Sequence, residues 1–264
     1  MYRFLLSRQW ILLTLLSVAL IPTMIELGFW QMHRYEERTA RNDLVADALG
    51  APAVPVEELT SPGHTVTTGE RYRTVSAIGH FDTERQVVVR RRVNADEAVG
   101  VHVLTPFVLA DGKVLLVNRG WIATDGPSQT VFPEVPAPPD GEITVTGRLM
   151  PDETTEASGI KDLEGLPDRQ IMLINSAQEA DRLDAEVLGG YVVQTTPEPR
   201  GGTPQLIGKP GNEDAALNYA YAIQWWLFAA AVPVGWVILV RREARDKKGP
   251  ADVEQTQDPR PATV

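Results

Sequence analysis

Two long apolar runs, one near each end, limit what this chain can fold into. The first, WILLTLLSVALIPTMI from Trp10 to Ile25, holds 16 uncharged residues and continues past Glu26 to Trp30. At about 1.5 Å per residue it reaches roughly 24 to 31 Å, one bilayer crossing. The second, AYAIQWWLFAAAVPVGWVILV from Ala220 to Val240, holds 21 residues without a formal charge. Five basic residues follow it at once, Arg241, Arg242, Arg245, Lys247 and Lys248. That cluster marks a cytoplasmic side. With Arg3 and Arg8 before the first run, both termini are placed inside and the middle outside, although Arg34, Arg38 and Arg41 count against this orientation. A cleaved signal peptide is the alternative for the first run, which is longer than a usual signal core and lacks an A-x-A-like site after it. Too few residues precede it for a mitochondrial transit peptide, so a bacterial plasma membrane is the expected host.

These runs divide the chain into a cytoplasmic N-terminus (1–9), a transmembrane helix (10–30), an extracytoplasmic domain (31–219), a second transmembrane helix (220–240) and a disordered cytoplasmic tail (241–264). Pro22 is a candidate kink. Trp10, Trp30, Trp225, Trp226 and Trp236 lie in or beside the spans, where such rings anchor at the lipid interface. Tyr221, Trp225, Phe228 and Val232 recur at helical spacing as one stripe, open to two readings, lipid anchor or protein contact. The middle carries a net charge of -12, which leaves no footprint for nucleic acid. Absence of cysteine excludes disulfides, thiolate metal sites and a cysteine nucleophile.

The segment from Gln31 to Leu49 has no Gly or Pro and continues the first span as a helix until Gly50. Strand-like runs follow at Tyr72–Phe81, Arg85–Val93, Val101–Leu109, Val114–Ile122 and Ile143–Leu149, rich in Val, Ile and Thr. Their spacing predicts an antiparallel meander with a hairpin at Asp111-Gly112. A proline-rich connection, Gly126 to Gly141, separates the last two. Weaker strands at 170–174 and 191–195 bracket a helix from Ala177 to Leu188, capped by Asn175 or Ser176 and closed by Gly189. The expected fold is membrane α+β: two transmembrane helices flanking a mostly antiparallel sheet or barrel with one or two helices.

The sequence carries no G-x-S-x-G, Walker or G-x-G-x-x-G motif, and its four histidines lack zinc spacing. No active site or metal site is expected, and the chain reads as a non-enzyme. His80 and Asp82, two apart on a strand, are the one hint of a His-carboxylate pair. The run Arg90, Arg91, Arg92 reads either as solvated edge-strand charges or as an anchor for a partner carboxylate or haem propionate. In VNRGW, Arg119 and Trp121 fall on one strand face, where they stack on each other or clamp a partner.

Taken together, LGFWQMHR (Leu27–Arg34), YRTVSAIGHF (Tyr72–Phe81), GVHVLTPFVL (Gly100–Leu109), VNRGWI (Val117–Ile122) and YAIQWW (Tyr221–Trp226) resemble the surfeit locus protein 1 family. Its members are membrane assembly factors of haem-copper cytochrome c oxidase, and the resemblance covers roughly residues 10 to 240. It implies an assembly or accessory factor that helps mature the catalytic subunit near haem a insertion, with oxidase subunits and the lipid bilayer as partners and no turnover. The partner- or cofactor-binding candidates it nominates are Gly28, Trp30, Gln31, Arg34, Asn118, Arg119, Gly120, Trp121, Tyr221 and Trp225. Many relatives carry a histidine, proposed as a haem ligand, three residues before the tyrosine of the YA-x-x-W run. Here Asn218 stands there, and a carboxamide is no strong axial ligand. The resemblance thus implies protein contact, with no cofactor required. A haem a-binding chaperone using His33 or His102, a membrane-anchored sensor unrelated to respiration, and a tethered hydrolase are the competing readings.

Overall fold

A computed structural model describes residues 3–124 and 131–246. Of the tail expected to be disordered (241–264), residues 241–246 continue the second long helix, because no breaker stands among them; residues 247–264 and the start of the proline-rich connection lie outside the described residues. The chain divides into two compact units, one made of residues 1–41 and 212–264 and the other of residues 42–211.

The first unit is built on two long helices. Helix α1 (Arg8–Gly50) continues unbroken through Pro22, and its span-to-helix continuity follows from the breaker-free segment after Trp30. The helix α4 (Ala216–Asp246) likewise runs through Pro233. Both are long and apolar enough to cross a membrane. Hydroxyls inside the apolar stretch of α1 bond back to carbonyls one turn earlier, Thr14 to Trp10, Ser17 to Leu13 and Thr23 to Ala19 (2.8–2.9 Å). Each polar group is thereby satisfied within its own helix.

The second unit holds an eight-stranded sheet: β1 (Val54–Pro55), β2 (Thr74–Phe81), β3 (Val87–Val93), β4 (Val99–Leu109), β5 (Val114–Ala123), β6 (Ile143–Met150), β7 (Gln170–Ile171) and β8 (Tyr191–Thr196). Two short helices accompany it, α2 (Thr155–Ser158) and α3 (Ser176–Leu183). The strand order is β1-β2-β6-β8-β5-β4-β3-β7. Strands β3, β4 and β5 form the expected meander, and Asp111-Gly112 makes the β4–β5 turn, with Leu109 N–H bonding Lys113 O at 2.9 Å. Strand β2 does not join that meander at β3. It pairs antiparallel with β6 over Thr74–Gly79 and with β4 over Gly79–Phe81.

Of the two expected forms, sheet or barrel, the structure is a mixed sheet. The pairings β1·β2, β3·β7 and β5·β8 are parallel. Register shifts of the bulge kind interrupt β3·β4, β4·β5 and β6·β8, and β2 pairs with β4 in addition to its place in the strand order. Asn175 caps α3, its carboxamide oxygen accepting from Ala177 and Gln178 N–H at 3.1 Å. The helix ends earlier than Leu188, because Asp184 adopts a left-handed conformation (φ 48°) in place of the expected Gly189.

Core packing explains the central position of β5. Leu115 and Val117 join one apolar cluster with Phe107, Leu149 and Val192. Val114 and Leu116 join another with Leu104, Ile174 and Leu183. A strand buried on both faces reads as a continuous apolar run, which is the pattern of VLLV. Leu115→Ala and Leu116→Ala are each expected to destabilise the chain by about 2–5 kcal/mol. Denaturant titration of the detergent-solubilised chain checks this; a silent Leu116→Ala would mean that one face of β5 is not packed.

Candidate functional site

The sequence candidates fall into two separate places, one in each unit. In the helix unit, Gly28 is buried and a Cβ there would run into the Trp226 indole. Phe29 meets the same indole edge-on at 5.7 Å, and Tyr35 meets Tyr219 at 5.4 Å. Trp236 donates its Nε1–H to Thr14 Oγ1 at 3.1 Å. This ring therefore joins the two helices instead of serving only as a lipid anchor. On α4 the buried residues Ala222, Ala229 and Val240, with Trp226 and Trp236 between them, alternate at spacings of three, four and seven. Small residues on such a seam let helices approach closely in lipid.

The stripe read from sequence lies one residue away from this seam. Tyr221 and Phe228 are 48% and 44% exposed. Trp225 is half-buried and meets Phe228 edge-on at 6.1 Å. Phe228 and Val232, with Leu13 and Met24 of α1, also line an apolar hollow of about 410 Å³ along the helix pair. On α1, Trp30 is 56% exposed, Gln31 is half-buried, and Arg34 is exposed and ion-paired to Glu37 at 3.6 Å. The other two arginines that argued against the expected orientation also have a carboxylate partner: Arg41 and Arg38 reach Glu213 at 2.9 and 3.5 Å. Arg38 also donates to Asp214 O at 3.0 Å.

In the sheet unit, Asn118 and Arg119 are 1% and 3% exposed on β5. Asn118 donates from Nδ2 to His102 Nδ1 at 3.1 Å and accepts from Gly120 N–H at 3.1 Å. Arg119 sits at the register shift between β4 and β5. Its guanidinium donates to Gln86 Oε1 at 3.0 Å and to Pro136 O at 2.8 Å, and lies over the Phe81 ring. Gln86 Oε1 also accepts from Thr105 Oγ1 at 2.8 Å. Burial lowers the Arg119 pKa to about 10. Trp121 turns elsewhere, donating Nε1–H to Arg92 O at 3.2 Å and pairing its backbone with Gln205. Arg119 and Trp121 thus have different partners and form no clamp, because the irregular step between them breaks simple alternation. Gly120 makes that step at φ 130°, where a Cβ would press on the Gln205 backbone.

The arginine run is also resolved into separate environments. Arg92 is ion-paired to Glu153, whose other oxygen accepts from Tyr191 Oη at 3.4 Å. Arg90 donates to Gln170 Oε1, and Arg91 is exposed at a left-handed φ of 56°. Arg90 and Arg92 are therefore partnered, whereas Arg91 keeps the solvated character of an edge charge, since β7 pairs β3 only at Val88 and Val89. Asp82 is held by Arg85 at 2.5 Å, so its carboxylate serves a turn and not His80, which is exposed. The sequence reading missed Gln86, Thr105, Glu153 and Glu213; for Trp226 it offered contact with the first span beside the lipid-anchor reading, and the contact with Gly28 and Phe29 is that one. The missed residues depend on long-range contacts.

Two outcomes follow from this geometry. Gly120→Ala is expected to cost about 1–3 kcal/mol through backbone strain, read as a lowered Tm. The His102 pKa is depressed from 6.5 to about 3, first by burial and then by the Arg92 charge. A folded-state pKa below the unfolded one gives stability that is full above about pH 6.5 and drains as pH falls toward 3. His102→Asn should therefore flatten the Tm profile between pH 6.5 and 4; an unchanged slope would remove His102 as its source.

With these positions established, comparison with known proteins adds family context. The profile described as the SURF1 family matches residues 18–230. A SURF1-like protein of Mycobacterium tuberculosis (strain H37Rv) is 29% identical, covering 96% of this chain and 94% of its own. A SURF1-like protein of Rickettsia conorii is 25% identical over 83% of this chain and 87% of its own. Surfeit locus protein 1 of Mus musculus is 30% identical over 48% of this chain and 42% of its own.

Proposed function

The chain belongs to the SURF1 family, and from that premise we propose that it is an assembly or accessory factor of haem-copper cytochrome c oxidase, acting by protein contact without turnover. In this reading the two apolar helices cross a bacterial plasma membrane with both ends cytoplasmic, and the sheet unit stands outside. The contact is made with oxidase subunits, foremost the catalytic one, at the stage near haem a insertion.

The observation that carries the reading is the division of α4 into two faces. One face sets Trp226 against Gly28 and Trp236 against Thr14 of α1, with Ala222 and Ala229 buried between and beside them. The neighbouring stripe keeps Tyr221 and Phe228 exposed beside Trp225. Inside a bilayer there is no hydrophobic drive between helices, so aromatic shape and close packing are what such a stripe offers a helical partner. In the sheet unit, Asn118 and Arg119 are occupied with internal bonds, which suits a scaffold more than a catalytic centre.

A haem a-holding role has less support from the residues present. The position of the family histidine is Asn218, His33 is exposed on α1, and His102 Nδ1 is engaged by Asn118. Assembly by protein contact needs no haem on this chain.

Trp225→Ala is expected to lower capture of oxidase subunits by about tenfold or more in a mild-detergent pull-down, the order of an aromatic hot spot. The variant's own membrane abundance should fall much less. Equal losses of capture and abundance would reduce the stripe to a structural role, and normal oxidase spectra in a deletion strain would overturn the assembly reading itself.

A further inference from the structure

The strands β5 and β8 pair in parallel at Val117↔Val192 and Asn118↔Val193 and no further. Arg119 and Gln194 are the next residue on each strand, and both line a cavity of about 160 Å³. Gln194 is 3% exposed. Its Nε2 donates to Pro197 O at 2.6 Å, which fixes the orientation of the amide, since the reverse would set two oxygens together. Its Oε1 is buried and lacks a hydrogen-bond partner among the described residues. Arg119 is equally buried and no carboxylate among the described residues pairs with it. Native proteins rarely leave buried polar atoms unsatisfied, so an exception of this kind calls for a reason.

The cavity wall narrows the choice of ligand. Pro138, Pro139, Pro197 and Pro199 contribute to it and carry no N–H, so they offer apolar faces and no donors. Arg119 keeps N–H hydrogens beyond the two it uses and can donate to a further acceptor; Gln194 Oε1 requires a donor. A carboxylate would satisfy Arg119 but set a negative charge against Gln194 Oε1 and beside Asp140 and Glu198. A cation would satisfy those oxygens but face Arg119 and Arg200. Lining charges of both signs therefore select a neutral group with a donor and an acceptor. The volume is below the roughly 300–1,000 Å³ of drug-sized sites and suits a side-chain tip.

We propose that this cavity is a binding site for a carboxamide group, which accepts from Arg119 and donates to Gln194. The group arrives either as a free small amide or as the Asn or Gln side chain of a partner segment. The assignment is independent of the oxidase reading, because it rests on the sheet unit alone.

The test is a ligand-observed NMR titration of the full chain in detergent with three planar isosteres, acetamide, acetate and acetamidinium. Wild type should bind acetamide about fivefold or more tightly than either ion, the order expected when a buried donor or acceptor is left unpaired. Gln194→Leu should abolish that preference, and Gln194→Glu should transfer it to acetamidinium, with unchanged thermal melts confirming the fold. Acetate binding as well as acetamide, or acetamide binding wild type and Gln194→Leu alike, overturns the proposal. Absence of any acetamide binding to wild type also overturns it, unless a blocked Ala-Gln-Ala peptide binds more tightly than Ala-Leu-Ala. That result assigns the cavity to a partner's side chain, whereas acetamide binding without peptide preference assigns it to a free amide.

Discussion

Because β5 sends Leu115 and Val117 into one core and Val114 and Leu116 into another, it has no solvent face along this stretch, and the rest of the sheet unit is arranged around that fact. Its polar residues must find partners inside. Asn118 takes His102, and Arg119 takes Gln86, Pro136 and the Phe81 ring. An unmade hydrogen bond at such depth costs about 1–3 kcal/mol, comparable to much of the margin by which a domain is stable. The partners come from four different segments, so satisfying β5 also fixes where those segments lie.

The helix unit obeys a different constraint. Within their membrane-length stretches α1 and α4 are apolar on all sides, so apolarity alone cannot specify which faces meet there. Specificity comes from shape and from the few polar atoms available: Gly28 receives Trp226, Thr14 receives the Trp236 indole N–H, and Glu213 receives Arg38 and Arg41. The ion pairs are partly exposed and add little to stability by themselves. Their value lies in fixing register at the ends of the helix pair, which leaves the Tyr221, Trp225, Phe228 stripe beside the seam.

Much of this was legible from sequence where a local rule applies. Apolar length gave the two helices, and alternation with turn residues gave β2 to β6 within a few residues. Asp111-Gly112 gave the hairpin, and Asn175 gave the α3 cap. Local rules lost their hold where pairing is long-range or the strand is irregular. The spacing of Arg119 and Trp121 suggested one shared face, but the register shift and the positive φ of Gly120 gave them separate partners. The Arg90–Arg92 run read either as solvated edge charges or as an anchor for a partner's anion, whereas Arg92 meets Glu153 of the same chain, 61 residues away. The aromatic stripe on α4 was legible from its spacing, whereas the seam beside it was not, since Ala222 and Ala229 carry too little apolar area to stand out in a periodicity count.

By itself the sequence determined which segments are helix and strand, where charge and apolarity concentrate, and, through five short motifs in order, the family. Those properties depend on neighbours within a few residues, where backbone preference and side-chain period act directly. The tertiary structure alone decided that β2 leaves the meander for β6, that β5 is buried on both faces, that Trp226 and not Trp225 meets Gly28, and that Arg119 and Gln194 face one cavity. Each of these is a choice among partners far apart in the chain, made by the joint requirement to fill cores and satisfy buried polar groups.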